Sequence, residues 1–343
     1  MTETIDLPKT KPLVDPFGRH VSYLRMSVTD RCDLRCTYCM AERMVFLPKK
    51  DLLSLEELEK VAESFIARGV KKIRITGGEP LVRQGIGDLF TRLGSHLGNG
   101  LDELTLTTNG TLLAQYADTL VAAGVKRVNV SLDTIDPDTF KRITRRGDLH
   151  KVLAGIHAAL AAGLKVKINT VALKHDNSHQ IPDLIAWAHS KGMDITLIEV
   201  MPLGETGEDR IDQYLPLTMV QDTLAEKWTL TLESTLRANA GPSRYYDIAE
   251  TGGKVGFITP LTNNFCAGCN RMRVTCTGRI YMCLGQDDHI DLRAVLRESS
   301  NPETALSAAL DRALQRKPEK HDFAIDRRGD APALPRHMSV TGG

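Results

Sequence analysis

Seven cysteines fall into two groups: Cys32, Cys36 and Cys39, then Cys266, Cys269, Cys276 and Cys283. In the reducing cytosol expected for this chain, clustered thiols point to metal or catalysis rather than to disulfides. The first group reads Cys-x3-Cys-x2-Cys. Three thiolates are one short of closing a structural zinc site. A four-iron cluster normally takes four cysteines, so one held by three keeps an iron open to a substrate. Spacings of three and four also share a helical face, but Asp30, Arg31, Asp33 and Arg35 make this segment too polar for three packed core cysteines. The second group offers Cys266-x2-Cys269-x13-Cys283 with Cys276 inside the gap. Taken whole, it also suits a four-cysteine zinc site, and spacing alone leaves both readings open. Arg271 and Arg273 follow closely, and in an extended segment they share one face.

These residues need a frame. Strand-like and helix-like segments alternate from Tyr23 to Val200. Strands are expected over Tyr23–Val28, Ile73–Thr76, Leu104–Thr108, Arg127–Leu132, Val166–Ala172 and Ile195–Val200. Helices are expected after the capping box Ser54-Leu-Glu-Glu57, near Leu112–Ala123, over Leu149–Ala162 and over Ser178–Ser190. About six β/α units in series favour a parallel sheet, read here as an open, partial (β/α)6 TIM-like barrel, with a doubly wound sheet as the alternative. Residues 1–20 read as a loose arm, 21–240 as the core, 241–330 as a smaller C-terminal domain with the second cysteine group, and 331–343 as a tail. Leu203–Asp212 reads as a loop.

Several further candidates sit at the C-terminal ends of the expected strands, where barrel enzymes keep their sites. Gly77-Gly78-Glu79-Pro80 follows the second strand, and glycines there let backbone approach a ligand. Thr107 to Gly110 end the third strand, Ser131 and Asp133 the fourth, Glu199 and Met201 the sixth. Singly, each is an ordinary turn or cap residue.

Composition narrows the class. The 343 residues carry 44 Lys+Arg against 43 Asp+Glu, which argues against a bulk nucleic-acid binder. No apolar run is long enough to span a bilayer, so a soluble cytoplasmic protein is expected.

With Tyr38 supplying the aromatic residue, Cys32-x3-Cys36-x-Tyr38-Cys39 resembles the signature of the radical S-adenosylmethionine superfamily. From about Val14 to Gly343 the chain resembles the GTP 3′,8-cyclase family of molybdenum cofactor biosynthesis. The match rests on DRCDLRCTYCM, KKIRITGGEPLVR, LTTNG, RVNVSLDT, NFCAGCNRMRVT and the terminal Gly342-Gly343. The resemblance implies two [4Fe–4S] clusters, one on Cys32, Cys36 and Cys39 and one on Cys266, Cys269 and Cys283, with Cys276 left as a buried thiol. S-adenosylmethionine would bind the first open iron and yield a 5′-deoxyadenosyl radical, with Tyr38, Gly78, Ser131 and Met201 facing it. GTP would face Arg25, Lys72, Arg74, Thr107, Lys167 and the segment Arg271-Met272-Arg273, its guanine on the second cluster. Arg271, Arg273, Gly342 and Gly343 would support catalysis. The implied reaction starts with hydrogen abstraction from C3′ of the ribose and gives 3′,8-cyclo-7,8-dihydroguanosine triphosphate. The resemblance also implies a reductant such as flavodoxin or ferredoxin, a monomer or homodimer, and delivery of the product to the cyclic pyranopterin monophosphate synthase. One position departs from the pattern: Thr196 stands where relatives often carry an arginine. Another two-cluster radical enzyme, such as a peptide-modifying maturase, is the nearest alternative, and a zinc-stabilised binding protein the more distant one.

Overall fold

The structure, a computed structural model, describes residues 11–207, 210–234, 241–321, 323 and 332–342. Strands and helices alternate as β1 (Tyr23–Ser27), α1 (Leu55–Ala67), β2 (Lys72–Thr76), α2 (Ile86–Gly94), β3 (Glu103–Thr108), α3 (Leu113–Ala122) and β4 (Arg127–Ser131). There follow α4 (Pro137–Thr144), α5 (Leu149–Ala161), β5 (Lys165–Ala172), α6 (Ile181–Ser190) and β6 (Asp194–Glu199). The expected strand positions hold to within a residue. Between β1 and β6, α2 and α4 were not foreseen, and beyond β6 short α7 (Arg210–Gln213) ends what read as a loop. The expected capping box forms: Ser54 Oγ accepts from Glu57 N–H at 3.1 Å, and Glu57 Oε2 accepts from Ser54 N–H at 2.8 Å.

After α8 (Leu217–Lys227) come β7 (Leu230–Leu232), β8 (Arg244–Ile248), β9 (Gly253–Ile258), β10 (Arg271–Val274), β11 (Arg279–Tyr281) and β12 (His289–Asp291). Helices α9 (Leu292–Glu298), α10 (Pro302–Gln315) and α11 (Met338–Thr341) complete the chain. The segment beyond residue 241 builds onto the core sheet rather than a sheet of its own. Among the described residues one sheet runs β12-β11-β10-β1-β2-β3-β4-β5-β6-β9-β8-β7. β10 adds parallel to β1, with Arg273 opposite Arg25, and β9 adds parallel to β6. The sheet is therefore a parallel run from β10 through β1–β6 to β9, flanked by antiparallel β11-β12 and β8-β7, and it stays open, its ends β12 and β7 unpaired with each other.

Alternation along the strands separates core from site. Leu24 and Met26 of β1 and Ile73 and Ile75 of β2 join the hydrophobic core beneath the helices. Tyr23, Arg25, Lys72 and Arg74, the intervening residues, turn to the other face and line a cavity. The arm expected to be loose is anchored from Leu13, which is buried. Arg19 Nε pairs with Asp15 at 2.6 Å, and its Nη1 donates to the Cys266 carbonyl at 2.9 Å. One guanidinium satisfying several carbonyls ties the arm to the second cysteine segment. No helix of the described residues is long and apolar enough to cross a membrane.

Candidate active site

Two cavities, each of about 180 Å³, are lined by residues of the central strands and the loops that follow them. The first is lined by Cys32, Cys36 and Cys39 together with Tyr38, Gly78, Ser131 and Met201. Thr107, expected beside the nucleotide, lies here, and its Oγ1 accepts from Arg74 Nη1 at 3.2 Å. Tyr38 donates its hydroxyl to Asp133 Oδ2 at 2.7 Å, and Asp133 Oδ1 accepts from Val171 N–H at 2.9 Å. Burial pushes Asp133 up to about 6 against those two hydrogen bonds. Burial also pushes the Cys32 and Cys36 thiols well up. Neutral thiols are what a dry pocket favours without a cation; a bound iron cluster supplies the positive charge that draws out their protons.

Loop geometry explains how the cysteines are held. Thr37 N–H and Arg35 N–H donate to the carbonyls at the end of α4, Ile143 and Thr144. Arg145, with a positive φ of 60°, sends Nη1 to the Met40 carbonyl at 3.1 Å. A non-glycine residue there is strained, and strain of this kind gathers at ligand sites. Gly77 and Gly78 have a reason the sequence did not suggest. A Cβ at Gly78 would lie 2.4 Å from the Arg31 carbonyl, and one at Gly77 2.7 Å from that of Thr29. The glycines let the second loop lie against the backbone that leads into the cysteines. Glu79, wholly buried, fastens the same loop to the third strand: its carboxylate accepts from Thr108 Oγ1 at 2.8 Å and Asn109 N–H at 2.6 Å.

The second cavity is lined by Cys266, Cys269 and Cys283 at one side. Arg25, Lys72, Arg74, Arg127, Lys167, Arg271 and Arg273 supply its cations, and no Asp or Glu lines it among the described residues. Two like charges about 4 Å apart repel by about 4 kcal/mol at an effective dielectric of about 20, so such a wall calls for an anion. Burial lowers Arg25 to about 10 and pulls Arg273 well below the arginine range, with Arg25 and Arg271 adding to the effect on Arg273. Burial pushes the Tyr23 phenol up, but Arg74, Arg25, Lys72 and Arg271 outweigh it and bring it to about 7. Glu103, outside the cavity wall, holds Lys72 at 3.1 Å and Arg127 at 2.5 Å.

Burial pushes the Cys269 thiol up too, yet Arg271 and Lys317 bring it down to about 7. Lys317 is buried, its Nζ 3.7 Å from Cys269 Sγ and donating to the carbonyls of Arg271 and Met282. Cys276 lines neither cavity; it is fully buried, with its carbonyl accepting from Leu53 N–H. Among the described residues no three Cys, His, Asp or Glu side chains are gathered to hold a single metal ion. The thiols are instead distributed as two trios, each around one cavity, a donor set that fits a multi-iron cluster with one cysteine per iron.

One candidate moves. Met272, expected with its neighbours at the nucleotide, packs in the hydrophobic core, because strand alternation turns it away from Arg271 and Arg273. Gly342 seats the tail: its carbonyl accepts from Arg273 Nη1 at 2.5 Å. Gly343 lies outside the described residues. Met338 and Met201 line both cavities, as do Asn169 and Ile198, so the two spaces adjoin. Tyr23, Asn129 and Asn169 were legible in the period-two alternation with Arg25, Arg127 and Lys167. Tyr245 and Lys317 had no local signal.

Comparisons with known proteins show the family. The sequence profile of the Radical SAM superfamily matches residues 26–188, and that of Molybdenum Cofactor Synthesis C matches residues 193–323. The chain is 62% identical over 331 residues to a protein of Erythrobacter litoralis named GTP 3′,8-cyclase, covering 96% of this chain and 98% of that one. A Rhizobium etli protein of the same name is 60% identical, covering 97% of this chain and 94% of that one. Streptococcus suis SuiB bound to S-adenosylmethionine superposes with a TM-score of 0.61 at 16% identity, over 93% of this chain and 77% of that one, a likeness of fold. The chain belongs to the GTP 3′,8-cyclase family of radical S-adenosylmethionine enzymes in molybdenum cofactor synthesis.

Proposed function

We propose that the first cavity takes S-adenosylmethionine beside a [4Fe–4S] cluster on Cys32, Cys36 and Cys39. The second takes GTP, its guanine toward a second [4Fe–4S] cluster on Cys266, Cys269 and Cys283. Cluster and S-adenosylmethionine together supply a 5′-deoxyadenosyl radical when bound. The overall conversion is GTP to (8S)-3′,8-cyclo-7,8-dihydroguanosine 5′-triphosphate, begun by loss of the ribose C3′ hydrogen. The observation that carries the substrate is the wall of seven cations with no carboxylate among the described residues, a match for a triphosphate.

The chain's own residues then have distinct tasks. Tyr38, braced by Asp133, and the backbone at Gly78 shape the first cavity; Ser131 and Met201 close it. Arg25, Lys72, Arg74 and Lys167 grip phosphates, and Thr107 sets the Arg74 guanidinium. Arg271 and Arg273 stand between the second cysteine trio and the tail, placed to hold the nucleotide through the later steps. Pinning both ends of the substrate lets one C–H among several face the radical. A reductant such as a flavodoxin or ferredoxin would supply the electron. The enzyme would work in the cytoplasm and pass its product to the cyclic pyranopterin monophosphate synthase.

Arg74→Ala tests the phosphate assignment. Losing a charge-assisted grip worth about 1.5–3 kcal/mol should weaken GTP binding by about 10- to 100-fold. Iron content should stay as in the unaltered protein. Anaerobic equilibrium dialysis reads the affinity; an unchanged value would place the triphosphate elsewhere.

A further inference from the structure

Tyr245 reaches the nucleotide cavity from β8, near the edge of the sheet. Lys167 Nζ donates to its hydroxyl at 2.7 Å and lies 5.4 Å from its ring centre. The register makes a row across three strands: Thr196 on β6 lies opposite Gly256 on β9, and Gly256 opposite Tyr245. The ring crosses this row because the residues in its way are small. A Cβ at Gly256 would lie 2.8 Å from the Tyr245 ring and 2.2 Å from Ser243 Oγ. Thr196, at the end of that row, is fully buried.

We propose that Tyr245 is a further substrate-positioning residue. Its hydroxyl aims Lys167 at the nucleotide's phosphates. This rests on the reading of the second cavity as the GTP site. The arrangement converts one flexible ammonium into an oriented one, with a hydroxyl beside it that can itself donate to a phosphate oxygen. Gly256 and Thr196 are then part of the same device, since a larger residue at either would displace the ring.

The test measures dissociation constants for GTP and for guanosine by anaerobic equilibrium dialysis on the cluster-reconstituted full chain. Tyr245→Phe keeps the ring and removes only the hydroxyl. It should weaken GTP binding about tenfold while leaving guanosine binding unchanged. The double variant Lys167→Ala/Tyr245→Phe should lose no more GTP affinity than Lys167→Ala alone, to within about threefold. A merely structural role for Tyr245 would move both ligands alike and would add its loss to that of Lys167→Ala. Unchanged GTP affinity in Tyr245→Phe, equal losses for both ligands, or fully additive losses in the double variant would each overturn the proposal alone. Failure of the unaltered protein to bind GTP would overturn the cavity's assignment and this inference with it.

Discussion

Replacing Cys32, Cys36 and Cys39 together with alanine should remove about four of about eight irons per chain and end 5′-deoxyadenosine formation. Replacing Cys266, Cys269 and Cys283 should remove the other four and abolish the cyclised nucleotide. The two trios line separate cavities, so each loss should be independent of the other. Cys276→Ala is the informative control. That thiol is buried outside both cavities, and burial pushes it up to about 12, so it has no access to a cluster and little tendency to ionise. Its removal should leave iron content unchanged. Iron lost from Cys276→Ala would make Cys276 a ligand of the second cluster, and one equivalent of zinc with no iron would remove the basis for radical chemistry.

Gly342→Ala should have the second-largest effect. Gly342 has φ of 77°, and a Cβ there would lie 1.8 Å from Thr76 Oγ1. Thr76 is buried at the end of β2, and its Cβ would lie only 2.6 Å away, so turning the hydroxyl aside does not relieve the clash. The added methyl therefore has to unseat the tail, and Arg273 then loses the carbonyl that holds it 2.5 Å away. A displacement of about 1 Å in a positioning group can cost about 100-fold in rate, so product formation should fall by at least that factor. Clusters should remain, and S-adenosylmethionine should still bind. Full turnover in Gly342→Ala, measured as nucleotide product per chain, would make the tail a bystander.

The six core strands were readable because each is a short apolar run between turn signals, and local pattern decides such segments. The outer strands were not. β10 is four residues long, and its partner β1 lies some 250 positions earlier in the chain, a pairing that no local window contains. The alternation of Arg271 and Arg273 was nonetheless visible, and so was the possibility that they share a face. Extending it would have turned Met272 into the core. Gly77 and Gly78 show the opposite case: the sequence marks a close approach but not to what, and the close neighbour is the chain's own Thr29–Arg31 backbone. Tyr245 was invisible because its role depends on two small residues, Gly256 and Thr196, on neighbouring strands.

The adjoining cavities share Asn169, Ile198, Met201 and Met338, so bound S-adenosylmethionine and GTP would meet along that boundary. A 5′-deoxyadenosyl group abstracts whichever hydrogen is held nearest, which makes the site of abstraction a direct report of how the nucleotide is seated. The decisive measurement is a single-turnover reaction of the reconstituted enzyme with GTP deuterated at C3′. Deuterium should appear in 5′-deoxyadenosine, while label at C2′ or C4′ should remain in the nucleotide. Transfer from another ribose carbon, or 5′-deoxyadenosine formed without any dependence on GTP, would contradict the arrangement of the two cavities described above.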